Sequence, residues 1–254
     1  MNPVPPLDLT PPPPPPAPRC EWAYFFDVDG TLVDFADTPA AVRVSDALLQ
    51  LLEDLYQCSD GALAIMSGRA IAEIDAFFPS VQLPAAGQHG AERRDAAGRT
   101  SRHEPVPDLA PARARLAEAI ADKPGLLLED KGLSLALHYR RTPGLAGFVY
   151  QTMEALLHEV GRGGEYCVQT GKSVVELKPA GKDKGLAVLE FMREPPFAGR
   201  TPVFVGDDAS DEFGFVAVNQ LGGHSIKVGA GNTMARWRLE NVEAVQHWLR
   251  SISR

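Results

Sequence analysis

The sequence is poor in cysteine and has no long apolar run. Three cysteines in 254 residues, Cys20, Cys58 and Cys167, stand in no Cys-x-x-Cys or other metal spacing. That excludes a zinc module and the dense disulfide framework of small secreted domains. An odd, scattered set reads as free thiols in a reducing compartment, and the cytoplasm is the expected location. No apolar stretch approaches the roughly 18 residues of a membrane span. The N-terminus has no basic region followed by an apolar stretch, so neither a membrane nor a secretory signal is expected. Basic blocks are missing as well. Lys and Arg total 25 against 33 Asp and Glu, a formal net charge of −8, and nucleic acid is not an expected partner. An anionic small molecule is still compatible with that charge, because a local group of lysine, arginine and metal can outweigh the global balance.

What is present is the mix of a soluble globular chain, 44% hydrophobic and 23% charged, long enough for one or two domains with a real core. Residues 1–19 hold "PPPPPPAP" and little pattern, which reads as a polyproline-like mobile tail, with a ligand for a proline-binding module as a second reading. From Glu21 the texture changes. "WAYFFDV" is a buried-strand run, "PAAVRVSDALLQLLEDLYQ" is apolar at helical spacing, "GALAIMSG" is strand-like, "RAIAEIDAFFP" is helical, and "VQLPAAGQHG" is a strand and turn. Strand and helix in alternation predict a Rossmann-like parallel sheet with crossover helices. Between 105 and 180 the order becomes helix, hairpin, helix, hairpin, which predicts an inserted α/β cap domain made of an antiparallel sheet with helices on one face. The α/β pattern then resumes. The expected organisation is a tail over 1–19, a core from 20–104 and 181–254, and a cap over 105–180.

Polar clusters fall at the ends of the parallel strands, where open α/β sheets bind ligands. They are Asp27-Val28-Asp29, Ser67-Gly68-Arg69, His89-Gly90 and Gly206-Asp207-Asp208, with Lys182 and Lys184 in the loop after the cap. Asp27 and Asp29 are two apart, so in extended backbone both point the same way. Two carboxylates aimed at one spot repel unless a cation or proton lies between them. Asp207, Asp208 and Asp211 end a second strand. A hard divalent ion held by a few carboxylates suits Mg2+. Each piece has an ordinary reading by itself: Asp27 or Asp211 as a helix cap, Ser67 as a turn residue, Lys184 as a solvated lysine. Their joint order is what singles them out.

With these residues placed, the sequence resembles the haloacid dehalogenase-like (HAD) phosphatases. "DVDGT" is similar to their first motif, Ser67 in "IMSGR" to the second, Lys184 in "GKDKG" to the third and "GDDASDE" to the fourth. Within that superfamily "GQHGAERR", "EDKGLSLALHYR" and "VVELKPAGKDKG" resemble the trehalose-6-phosphate phosphatase family, with Gln88 standing where an acidic residue is more usual. The resemblance implies Asp27 as the nucleophile, Asp29 as proton carrier, Ser67 as phosphate ligand and Lys184 as charge balance. Lys184 is preferred to Lys182 because it opens the next helix. Mg2+ would be held by Asp27, the backbone carbonyl of Asp29 and Asp207, with Asp208 and Asp211 supporting from behind. A sugar phosphate is the expected substrate, and a trehalose-6-phosphate synthase is a candidate partner.

Alternation in the cap strands predicts which residues read the sugar. In "LSLALHYR", Leu133, Leu135 and Leu137 share one face while His138 and Arg140 lie on the other, and in "SVVELKP" Glu176 and Lys178 share a face. The expected pool is Glu129, Lys131, His138, Arg140, Glu176 and Lys178 from the cap, with Arg69, His89 and Glu92 from the core. Three other readings stay open: a capped phosphatase for another sugar phosphate, a phosphomutase on the same core, and a sugar-phosphate sensor without catalysis.

Overall fold

The computed structural model describes residues 13–36, 38, 41–79, 82–103, 108–160 and 164–252. The first strand, β1 (Trp22–Phe26), is buried along its whole length, as an unbroken apolar run requires of a central parallel strand. Then come α1 (Asp46–Cys58), β2 (Leu63–Met66), α2 (Ile71–Phe77) and β3 (Ala85–Gly87). The start of α1 is fixed by Ser45, whose hydroxyl accepts from the Leu48 amide, a side-chain cap. Its buried face, Leu48, Leu52 and Leu55, has the spacing of one helical stripe. Two short strands follow, β4 (Glu92–Arg94) and β5 (Thr100–Arg102).

The chain then passes through α3 (Ala110–Ile120), β6 (Leu127–Asp130), β7 (Leu135–His138), α4 (Ala146–Val160), β8 (Tyr166–Gly171) and β9 (Val174–Pro179). It returns as α5 (Lys184–Phe191), β10 (Thr201–Gly206), α6 (Asp211–Gln220), β11 (His224–Val228), β12 (Trp237–Leu239) and α7 (Val242–Arg250). The core sheet runs β12-β11-β10-β1-β2-β3-β4-β5. It is parallel from β12 to β3, and β4 and β5 continue it antiparallel. The sequence pattern predicted the parallel strands β1, β2, β3, β10 and β11. β4, β5 and β12 are each three residues long, too short to carry a readable alternation. Alternate residues of β1 enter opposite layers: Tyr24 and Phe26 pack toward α1 and α7, and Ala23 and Phe25 toward α5 and α6.

The cap is a separate antiparallel sheet, β6-β7-β9-β8. Leu135, Leu137, Val175 and Leu177 pack with Leu116 of α3 and with Val149 and Met153 of α4. The strand register lines up Glu129, Ala136, Glu176 and Gln169 as successive cross-strand neighbours. They form one row on the sheet face opposite the helices.

Two expectations change at the N-terminus. Cys20 and Cys58 are joined in a disulfide with their Cα atoms 5.1 Å apart, leaving Cys167 as the free cysteine. The bridge ties the entry to β1 to the end of α1. Parity and scattered spacing could not reveal it, and the argument from three free thiols to a reducing compartment fails for this pair. The proline stretch is also anchored where it is described. The Pro13 carbonyl accepts from the Arg238 amide on edge strand β12, and the Pro16 carbonyl accepts from the Trp248 indole at 2.8 Å. Prolines lack a donor but keep their carbonyls, which is enough to satisfy an edge amide. Residues 1–12 lie outside the described residues. Among the described residues no helix is long and apolar enough to cross a membrane.

Candidate active site

The ends of β1, β2, β3 and β10 meet the polar face of the cap around a cavity of about 270 Å3. Asp27 follows β1, and its amide is held by the Val205 carbonyl of β10 at 3.0 Å. The turn after it depends on Gly30, at φ +88°, where a Cβ would lie 2.5 Å from Asp207 Oδ2. A side chain there would be both strained and in collision with the opposite carboxylate. Lys184, the first residue of α5, is buried. Its ammonium donates to Asp27 Oδ1 at 2.7 Å and to Asp211 Oδ1 at 2.6 Å. Asp211 uses its other oxygen to accept from the amides of Asp207 and Asp208, at 2.8 and 3.0 Å. Its oxygens are thus committed to holding the loop and Lys184. A Cβ on Gly206 would lie 2.3 Å from Asp211 Cγ, so the glycine is what admits this packing.

The electrostatics ask for a cation. Burial pushes the Asp27 carboxyl well above the ordinary carboxylate range; Lys184 pulls it down, while Asp211, Asp207 and Asp208 push with the burial. Burial likewise raises Asp207, against Lys172. Oxygens of Asp27, Asp207 and Asp211 lie within 4.8 Å of one another. Asp207 Oδ1 is buried with no hydrogen-bond partner. An orphaned buried carboxylate oxygen facing another carboxylate has the donor chemistry of a hard divalent-ion site. The residues present fit such an ion through Asp27 and Asp207, with Asp211 behind them.

Ser67 follows β2 and accepts from the Arg69 amide at 3.1 Å. Arg69 grips both carboxylate oxygens of Asp29, through Nε and Nη2 at 2.7 Å each. From the cap, Lys131 donates to the Gly68 carbonyl at 3.0 Å and to Glu176 Oε2 at 2.9 Å. His89 approaches the same Glu176 oxygen at 3.3 Å. Burial pushes the Glu176 carboxyl up, but Lys131 and His89 together outweigh it and hold it well below the ordinary range. Glu129 pairs with His138 at 2.8 Å. Arg140 lies over the Phe35 ring and donates to the Ala36 carbonyl at 3.3 Å.

A trehalose-phosphatase family model matches residues 25–243, which include both the strand ends and the cap. The chain belongs to the trehalose-phosphatase family. It is 46% identical to the trehalose-6-phosphate phosphatase of Escherichia coli (strain K12) over 238 residues, 92% of this chain and 87% of that one. It is 44% identical to a probable trehalose-phosphate phosphatase of Sinorhizobium fredii over 208 residues, 82% and 78% of the two chains. The C-terminal domain of the Candida albicans trehalose-6-phosphate phosphatase superposes with a TM-score of 0.79 at 25% identity, covering 92% of this chain and 91% of that one.

In this chain the cavity wall gathers Asp27, Asp29, Ser67, Arg69, His89, Lys184 and Asp208 from the core. Glu129, Lys131, His138, Arg140 and Glu176 come from the cap. Two residues expected to read the sugar are elsewhere. Glu92 is buried, accepting from the Ile71 amide at 2.9 Å through Oε2 and pairing with Arg102 through Oε1 at 2.9 Å. It satisfies the first turn of α2. Lys178 shares a strand face with Glu176, but its ammonium is buried against the Lys182 carbonyl. The chain leaving β9 covers it. Arg69 does line the cavity, though its guanidinium is spent on Asp29 and on Glu73 at 3.3 Å. Lys182 pairs with Glu190 at 3.2 Å, away from the carboxylates.

The sequence reading missed Lys172 and Lys227. Lys172, at the tip of the β8–β9 hairpin, reaches across to Asp207 Oδ2 and lies over Phe35. Lys227 donates to the Asp207 carbonyl from β11. A lone lysine inside the apolar "SIKV" was a readable signal for the second. A lysine in a turn carries no such signal. Replacing Glu92 with alanine should strand the buried Ile71 amide and lower unfolding free energy by about 1–3 kcal/mol, measured by urea denaturation. KM for the sugar phosphate should stay within about twofold of wild type, since the side chain is not in the cavity.

Proposed function

We propose that this chain hydrolyses trehalose 6-phosphate to trehalose and phosphate through a phosphoaspartate on Asp27. The observation that carries the reading is the placement of Asp27, with Lys184 on its Oδ1, in one cavity with the charged cap residues Glu129, Lys131 and Glu176. Nucleophile and sugar-reading groups face each other across the domain boundary.

In the first step an Asp27 oxygen attacks phosphorus, and the bond from phosphorus to the sugar oxygen breaks. Asp29 gives that oxygen a proton. In the second step water attacks the phosphoaspartate, Asp29 takes the water proton, and phosphate leaves. Splitting one displacement into two lets one carboxylate serve as nucleophile and the other as acid and then base. For Asp29 to carry a proton, one of its two contacts with Arg69 has to open. Ser67 offers its hydroxyl to a phosphate oxygen, and Lys184 balances charge on Asp27. Mg2+, held by Asp27, the Asp29 backbone carbonyl and Asp207, would supply charge neutralisation for the phosphoryl group. The cap over the cavity keeps bulk water from the phosphoaspartate. The reading implies a synthase that supplies trehalose 6-phosphate.

The test is phosphate release from trehalose 6-phosphate, sucrose 6-phosphate and glucose 6-phosphate, with Mg2+ and with EDTA. Turnover of trehalose 6-phosphate at least about tenfold above the others is expected, a preference that one or two well-placed polar contacts can supply. EDTA should abolish it. A clear preference for either other sugar would move the assignment to another capped phosphatase, and no turnover at all would favour a sensor.

A further inference from the structure

We propose that Gln169 is a positioning residue for sugar recognition, whose side-chain amide holds the His89 ring at Nδ1 and so aims the hydrogen bond from His89 to Glu176. The proposal rests on the phosphatase reading, because it assigns the cap row a part in reading the sugar.

Gln169 and Glu176 are direct cross-strand partners on β8 and β9, so their side chains leave the same face of the cap sheet. Between them they hold the ring of His89, a core residue. Gln169 Nε2 lies 3.3 Å from His89 Nδ1, and Glu176 Oε2 lies 3.3 Å from His89 Nε2. An ionised carboxylate only accepts, so the proton of the ring must sit on Nε2. The ring is buried, and burial lowers its proton affinity against the pull of Glu176. A neutral ring with Nε2 protonated needs a donor at Nδ1, and the Gln169 amide is that donor. The Gln169 amide complements the tautomer that Glu176 requires.

The consequence reaches the sugar through Glu176. Its Oε2 receives His89 and Lys131, and its Oε1 receives the Ser134 hydroxyl at 2.6 Å. Three donors occupy a carboxylate with about four acceptor directions, which leaves room for about one sugar hydroxyl at a fixed angle. Without Gln169 the ring loses its partner at Nδ1 and can swing, so the hydrogen bond from Nε2 to Glu176 is no longer held at one angle and the carboxylate loses part of what fixes it.

The first measurement is the nitrogen spectrum of the His89 ring in 15N-labelled protein, assigned by loss of the signal in His89→Gln. Wild type should show a neutral ring protonated at Nε2. Gln169→Glu should instead give a doubly protonated ring at neutral pH, flanked by two carboxylates. The second is kinetic. Gln169→Ala should raise KM for trehalose 6-phosphate about tenfold, the scale of one hydrogen bond, with kcat within about twofold. KM for an aryl phosphate, which has no sugar to read, should not change. A wild-type ring protonated at Nδ1, an unchanged KM for trehalose 6-phosphate, or equal losses on both substrates would each overturn the proposal. Failure of wild type to turn over trehalose 6-phosphate would overturn the functional reading, and the ring spectrum decides the Gln169 assignment regardless.

Discussion

Replacing Asp27 with asparagine is expected to lower phosphate release by more than about 10^3-fold, the scale of losing a nucleophile, in a protein that stays folded. The substitution keeps the shape of a buried side chain and removes its charge. Asparagine cannot form the acyl phosphate, so what remains is the weak contribution of binding and charge neutralisation alone. The fold has little reason to suffer. Lys184 keeps its second partner, Asp211, at 2.6 Å. Burial and the neighbouring carboxylates already disfavour the charge on Asp27. Without a divalent ion the variant should therefore melt at or above the wild-type temperature, as when a site built for activity rather than stability is relaxed. Circular dichroism melts with and without Mg2+, beside a phosphate-release assay, check both halves. A folded variant with wild-type turnover would remove Asp27 from the chemistry.

The gathering of polar residues at the strand ends was legible because they lie where local pattern has fixed consequences. Apolar runs ending in aspartate, serine or glycine place those residues at the carboxyl ends of parallel strands, and the sheet brings Asp27, Ser67, His89 and Asp207 to one edge without further information. The cap was legible by alternation. Leu135 and Leu137 enter its core, and Glu176 takes the face toward the cavity. Alternation gives the face of a strand but not what covers it. Lys178 shares the face of Glu176 and is nonetheless buried against the Lys182 carbonyl, while Glu92 turns to the start of α2. Lys172 belongs to a turn, where the period of two stops, and its contact with Asp207 depends on how two domains meet. The pairing of Cys20 with Cys58 depends on where α1 ends relative to the start of β1, across 38 residues. In each case the missing quantity is a distance between elements, which periodicity does not contain.

Removing Lys184 tests the other half of the charge balance. Its side chain is 2% exposed, and its ammonium lies between two carboxylates that are themselves buried. Burial alone would push the lysine down, but Asp211 and Asp27 outweigh it and hold it charged. Lys184→Met keeps the volume of the stem and leaves Asp27 and Asp211 facing each other with no cation between them. Breaking a buried pair from one side costs about 3–5 kcal/mol, so the urea midpoint of the metal-free variant should fall by the corresponding amount. Mg2+ should restore part of that loss, because an ion on Asp27 and Asp207 relieves the same repulsion from the other side. Activity should fall by more than about 10^2-fold even with Mg2+ present, the scale of removing one charge aimed at the reacting group. The double variant Lys184→Met, Asp211→Asn separates the two effects. It removes the unpaired charge along with the lysine, keeps an acceptor for the Asp207 and Asp208 amides, and should recover most of the stability and none of the activity. A single Lys184→Met variant as stable as wild type without metal would mean that the two carboxylates do not depend on the lysine, and the charge balance assigned to it would have to come from Lys172 or Lys227 instead.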